Sequence, residues 1–256
     1  MTLNQRQQMI LKLVQRKGFV AIEELAESFN VTPQTIRRDI NDLCEHGLLR
    51  RYHGGAGLPS SVENVAYSTR QVLHLAEKQR IARLVASHIP DQASLFINIG
   101  TTTEEVAKAL RDHSGLRIIT NNLNVAAQVC DNPTFEVIIA GGVVRARDRG
   151  VTGEATIDFI QQFKVDFGII GISGIESEGT LLDFDYREVR VSQAIMASSR
   201  QVFLAADHSK FGRNALVRLG HLSQTDAVFT DRSPPDPMVK VFQRAKVRLH
   251  VAEPEA

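Results

Sequence analysis

Thr32-Pro33-Gln34-Thr35-Ile36-Arg37-Arg38-Asp39-Ile40-Asn41-Asp42-Leu43 decides how the front of the chain is read. A hydroxyl residue followed by proline marks a helix start: the side-chain oxygen caps a free amide, and proline needs no amide of its own in the first turn. Ile36, Ile40 and Leu43 then share one face at helical spacing, while Gln34, Arg37, Arg38 and Asn41 project elsewhere. This predicts a helix to about His46, stopped by Gly47. Upstream, Met9, Ile10, Leu13 and Val14 predict a helix from Arg6 to Arg16, ended by Lys17-Gly18, and a short amphipathic helix follows from Ile22 to Phe29. Downstream, Leu48-Leu49-Arg50-Arg51-Tyr52-His53 closing over Gly54-Gly55 reads as a small basic wing.

A helix, a turn and a second helix followed by a basic hairpin can lay the second helix in the major groove of double-stranded DNA and the hairpin on its backbone. Gln34 suits adenine, Arg37 and Arg38 suit guanine or phosphate, and Thr35 suits a thymine methyl or a phosphate. Thr32 sits where helix amides approach phosphate. Asn41 lies on the same exposed side, and Arg50, Arg51 and His53 would be sequence-independent anchors. The plain alternative is a solvated helix face on which Arg37 and Arg38 pair with Asp39, Asp42 or Glu45. Asp39 is assigned to structure, orienting an arginine.

The whole chain has 256 residues, 43% hydrophobic and 23% charged, a globular composition long enough for two domains. Residues 1–57 hold eight Lys/Arg and six Asp/Glu, too small an excess to prove nucleic-acid binding. No apolar run approaches the roughly 20 residues of a membrane helix, and the N-terminus lacks a signal-peptide core, so a cytoplasmic location is expected. The two cysteines, Cys44 and Cys130, read as small buried side chains. No metal or cofactor is expected.

Gly54 to Ser61 has the Gly/Pro/Ser composition of a hinge. The expected division is therefore a winged helix-turn-helix domain over 1–57, a connecting segment over 58–75 and a ligand-sensing α/β domain over 76–256. In that last part, apolar runs at 95–99, 116–119, 135–140, 167–172, 202–206, 227–230 and 247–251 alternate with helical patterns. This predicts a mostly parallel sheet covered on both faces.

Ligands in such folds gather outside the carboxyl ends of the strands. Three strand ends suggest an anion cradle: Gly100-Thr101-Thr102-Thr103, then Asn121 and Asn122, then Gly141 and Gly142. A phosphate there needs a cation, with Lys210 the first candidate and Arg147 the second. The plain alternatives are a surface lysine, turn asparagines and a solvated arginine. Asp183, Asp185 and Glu188 read as solvated loop charges or partners of Arg187 and Arg190; otherwise they accept hydroxyl protons from a polyol.

Arg6, Ile10 and Val14 at four-residue steps, followed by Thr32-x2-Thr35-Ile36-Arg37-Arg38-Asp39-Ile40, resemble the signature of the DeoR family of bacterial repressors. The resemblance extends through Tyr52-His53-Gly54-Gly55-Ala56, Thr120-Asn121-Asn122-Leu123-Asn124-Val125-Ala126, Gly153-Glu154-Ala155-Thr156, Gly168 to Ile175 and Asp207 to Ala215. Where the second helix usually begins on Ser or Thr, this chain has Ala21, and Asn98 stands where Asp is frequent. The resemblance implies an effector domain related in fold to the ribose-5-phosphate isomerases. It also implies a homo-oligomeric repressor of glycerol and glycerol-3-phosphate metabolism genes, released from its operator by glycerol-3-phosphate or a related small phosphate ester. The other class considered is a phosphosugar-processing enzyme with an N-terminal interaction module. An isomerase needs a base to move a proton, and Asp166 to Gly174 carries apolar or small residues where isomerases of this fold have an Asp-Gly-Ala-Asp-Glu stretch.

Overall fold

The computed structural model describes residues 3–17, 19–46, 48–52, 54–57, 64 and 66–253. The chain divides into two compact units, Met1–Ser61 and Val62–Ala256. In the first, α1 (Gln5–Lys17), β1 (Phe19–Ala21), α2 (Ile22–Phe29), α3 (Pro33–Glu45), β2 (Arg50–Tyr52) and β3 (Gly55–Gly57) follow one another. Thr32 caps α3, its Oγ1 accepting from the Thr35 amide at 3.3 Å, whereas Ala21 gives α2 no side-chain cap. Ile36, Ile40 and Leu43 of α3 pack with Ile10, Val14 and Leu25, so apolar burial fixes which face of α3 looks outward. Gly18, Gly47 and His53, the two expected stops and one expected wing anchor, lie outside the described residues.

The wing differs from its sequence reading in two ways. It has a third strand, β1, and the order is β1-β3-β2, so Gly55–Gly57 is the buried central strand and not hinge. The reason is steric: a Cβ on Gly55 would stand 2.3 Å from the Phe19 ring and 2.4 Å from the Val20 carbonyl oxygen. Glycine is what lets β1 close on β3.

The second unit runs α4 (Tyr67–Val72), α5 (Leu75–Ala86), β4 (Ser94–Ile97), α6 (Thr101–Ala109), β5 (Arg117–Thr120), α7 (Leu123–Val129), β6 (Glu136–Ile139), β7 (Val143–Val144), β8 (Val151–Thr152) and α8 (Glu154–Ile160). It continues with β9 (Val165–Ile170), β10 (Gly174–Ile175), β11 (Thr180–Asp183), α9 (Tyr186–Ala197), β12 (Ser199–Ala205), β13 (Val217–His221), β14 (Ala227–Thr230), α10 (Asp236–Ala245) and β15 (Arg248–Val251). Among the described residues seven strands form one parallel sheet in the order β15-β14-β12-β9-β4-β5-β6. Alternation along each strand divides the core: Leu95, Ile97 and Ile169 face α5 and α6, while Phe96, Ile170 and Leu204 face α9 and α10. Burial on both faces explains the continuous apolar runs. The small antiparallel sheet β10-β11-β13 and the pair β7-β8 had no clear signature in the sequence.

Strand order locates the crevice. From β4 the chain adds β5 and β6 on one side, then crosses to β9 and builds outward through β12, β14 and β15 on the other. The switch point therefore lies between β4 and β9, where the connections leave in opposite directions and open a cleft above the strand ends. Cys44 is half-buried and Cys130 exposed, unlike the buried pair expected, because Cys130 ends α7 at the surface. Among the described residues no helix is long and apolar enough to cross a membrane.

Candidate functional site

In the first unit, Asn4, Arg6, Thr32, Gln34, Thr35, Arg37, Arg38, Asp39, Asn41 and Asp42 line one shallow depression along α3. Buried Asp39 accepts from Arg6, which fastens α1 to α3. Asp42 accepts from Gln7 Nε2 at 3.1 Å. The acids are thus turned inward, and among the described residues neither Arg37 nor Arg38 makes an ion pair with them. Arg51 of β2 donates to Asn41 Oδ1 at 3.4 Å, which brings the wing beside the same face. The arrangement presents two guanidinium groups, an amide and hydroxyls on a helix held rigid by its apolar side.

In the second unit, a narrow cleft is lined by Gly100, Thr101 and Thr102 after β4, by Gly171 to Ser173 after β9, by Lys210 and Arg213 after β12, and by Arg70, Asp183 and Glu188. An adjoining cavity of about 510 Å³ shares Arg70, Asp183 and Glu188 and adds Arg147. The cleft carries groups of both charges. The N-terminus of α6 supplies amides and the positive end of the helix dipole. Lys210 also lines it, its Nζ 3.6 Å from Asp207 Oδ2. Burial pushes the Lys210 amine below its ordinary value against the pull of Asp207. Asp207 is buried too, yet Lys210 and Ser209 hold its carboxyl well below the usual range. Among the described residues its Oδ2 has no hydrogen bond. Arg213 donates to the Ser173 carbonyl at 3.2 Å and to Asn64 Oδ1 at 2.9 Å.

Asp183, which also lines the cleft, accepts from the Ser173 hydroxyl at 2.9 Å, and burial raises its carboxyl. Arg145 donates to Asp148 at 2.7 Å and to Asp185 and Glu188 at 2.8 Å each. Asp185 and Glu188, expected to be solvated or paired with Arg187 and Arg190, are therefore drawn in with Asp148 around Arg145, while Asp183 is held by Ser173. Burial, then the Asp183 charge, lifts Glu188 from 4.5 to about 7. Between these values the folded protein holds a proton that the unfolded chain has released, so this contribution to stability is complete below 4.5 and lost as pH rises through 7. Glu188→Gln is expected to flatten the fall in melting temperature across that window. A variant curve parallel to wild type would assign the slope to other groups.

The remaining residues expected around a ligand serve local structure. Thr103 Oγ1 donates to the carbonyls of Asn98 and Gly100, at 2.7 and 2.8 Å. Asn121 donates to the Val151 carbonyl, and Asn122 caps α7 while donating to Glu104. The Gly141 carbonyl accepts from Thr156, and a Cβ on Gly142 would lie 2.2 Å from Thr156 Oγ1, so Gly142 admits a close approach to α8. Arg147 reaches the adjoining cavity, but its guanidinium bonds to Asp185 at 2.6 Å. Of the three loops expected to converge, only the one after β4 lines the cleft. Ser173 and Arg213 stood inside quoted motifs, whereas Arg70 had no local signal.

The DeoR-like helix-turn-helix domain matches residues 6–62, and the DeoR C terminal sensor domain matches residues 73–232. The chain is 54% identical to the glycerol-3-phosphate regulon repressor of Escherichia coli (strain K12), covering 96% of this chain and 98% of that protein. It is 52% identical to the protein of the same name from Haemophilus influenzae, covering 95% of each. Among solved structures, ribose 5 phosphate isomerase A from Neisseria gonorrhoeae overlaps 53% of each chain at 12% identity, with a TM-score of 0.40. The chain thus belongs to the DeoR family of DNA-binding transcriptional repressors, with a helix-turn-helix domain in front and a sensor domain behind it.

Proposed function

We propose that this repressor controls genes of glycerol and glycerol-3-phosphate metabolism and leaves its operator when glycerol-3-phosphate, or a related small phosphate ester, occupies the switch-point cleft. The carrying observation is the composition of the cleft. A buried amine and the N-terminus of α6 suit a phosphate, while the carboxylates in the same lining suit hydroxyl groups. Its relatives' names point to the same ester.

On this reading Gln34, Thr35, Arg37, Arg38 and Asn41 meet bases or phosphates, Thr32 meets phosphate, and Arg50, Arg51 and His53 anchor the backbone. Gly100, Thr101, Thr102 and Lys210 hold the ester. The protein works as a cytoplasmic homo-oligomer and turns nothing over, because Ile169 to Gly174 carries apolar or small residues where isomerases of this fold have catalytic carboxylates. Asp166, at the start of β9, bonds instead to Ser94 at the opposite end of the strands from the cleft. Release needs a coupling free energy of about 1–3 kcal/mol between ester and operator.

Calorimetric titration with glycerol-3-phosphate, with glycerol and ribose-5-phosphate as controls and each mixture assayed for turnover, tests this directly. Saturable binding of glycerol-3-phosphate alone, without turnover, is expected. Preference for another phosphate would change the pathway, and turnover would establish the enzyme.

A further inference from the structure

Helix α4 is fastened to the sensor unit by polar groups. None of its residues is buried, and Val72 remains 70% exposed. What holds it is the Tyr67 hydroxyl, which donates to Glu104 Oε2 at 2.7 Å and accepts from Asn124 Nδ2 at 2.7 Å and Gln71 Nε2 at 2.9 Å. Glu104 is buried in the first turn of α6, where Asn122 and Asn124 hold its other oxygen at 3.0 and 3.1 Å. That first turn is a wall of the cleft. One turn beyond Tyr67, Arg70 lines both the cleft and the adjoining cavity, and its carbonyl accepts from Lys78 Nζ. Just before the helix, Asn64 bonds to Ser173 and Arg213, two more lining residues.

We propose that this strap, Asn64 together with Ala66–Val72, reads occupancy of the cleft: Arg70 contacts the phosphate of the bound ester, and the Tyr67–Glu104 hydrogen bond holds the strap in its ester-bound position. The inference rests on the reading of this cleft as the ester site. A segment with few buried apolar contacts opens at low cost. An ester that meets Arg70 only while the strap is docked supplies the differential contact that any ligand-driven shift requires. The strap also follows directly on the unit boundary at Ser61–Val62, so its docking bears on the chain that leads to the DNA-binding unit.

The test uses the full-length protein, with operator affinity measured with and without saturating glycerol-3-phosphate. Tyr67→Phe removes the hydroxyl and keeps the ring. It is expected to shrink the ester-induced loss of operator affinity at least about five-fold, the lower end of ordinary allosteric coupling, and to leave operator affinity without ester unchanged. Val72→Ala, on the exposed side of the same helix, is expected to keep the wild-type response. In wild type, hydrogen exchange of the Arg70 amide, bonded to the Ala66 carbonyl at 2.9 Å, should slow when ester binds. This second readout serves even if Tyr67→Phe fails to fold. A wild-type response in Tyr67→Phe, or unchanged exchange at Arg70, overturns the proposal while leaving the ester site standing. No ester binding by wild type overturns both.

Discussion

Arg37→Ala and Arg38→Ala are each expected to weaken operator binding about 5- to 150-fold, the 1–3 kcal/mol carried by a good side-chain contact to a base. The effect belongs to the contact and not to the fold, because α3 is held by Ile36, Ile40 and Leu43, all buried on its opposite side. Nor do these arginines support the helix through Asp39 or Asp42, which accept from Arg6 and Gln7. The pattern of the loss identifies the contact. A base-reading arginine relaxes preference at one position of the site, whereas a phosphate-binding one weakens all sequences alike and lowers the salt slope by about one. Ester affinity measured without DNA should stay at wild type in both. Operator affinity unchanged in both variants would remove α3 as the recognition helix.

Lys210→Ala is expected to reduce ester affinity by about 30-fold or more, since removing one partner of a buried charge contact costs roughly 2–5 kcal/mol. Operator binding without ester should persist, and release by glycerol-3-phosphate should fail at concentrations that saturate wild type. The truncation also strands Asp207, which is fully buried and has only Lys210 as an ion-pair partner among the described residues. An uncompensated buried charge costs about 3–5 kcal/mol of stability. The variant Asp207→Asn with Lys210→Met removes both charges and is expected to regain stability without regaining induction. Normal induction in either would end the role assigned to Lys210.

The helix-turn-helix unit was legible because its signals are local. Thr32-Pro33 sets a cap and a first turn within four residues, and Ile36, Ile40 and Leu43 mark the buried side by spacing alone. The seven parallel strands were legible for a related reason: burial on both faces demands unbroken apolar runs. The wing was half-read, since a three-residue strand such as Phe19–Ala21 carries too little alternation to announce itself, and a glycine run serves a tight strand contact as well as a hinge.

The candidate cleft shows where local reading ends. Gly100, Thr101, Thr102 and Lys210 were found from strand-end chemistry, and the structure does bring them together. Asn121, Asn122, Gly141 and Gly142 obeyed the same rule, yet their loops follow β5 and β6, on one side of the switch point. Arg70, Ser173 and Arg213 line the cleft from positions far apart in the chain. The sequence by itself determined the helix-turn-helix elements, the strands of the parallel sheet, the family and the faces that are buried, because caps, periodicity and turns act over a few residues. Only the tertiary structure decided that β4 neighbours β9, and hence which strand ends meet and which acids turn inward onto Arg145. Strand order is settled by packing among residues distant in sequence, a competition that no short stretch of the chain records.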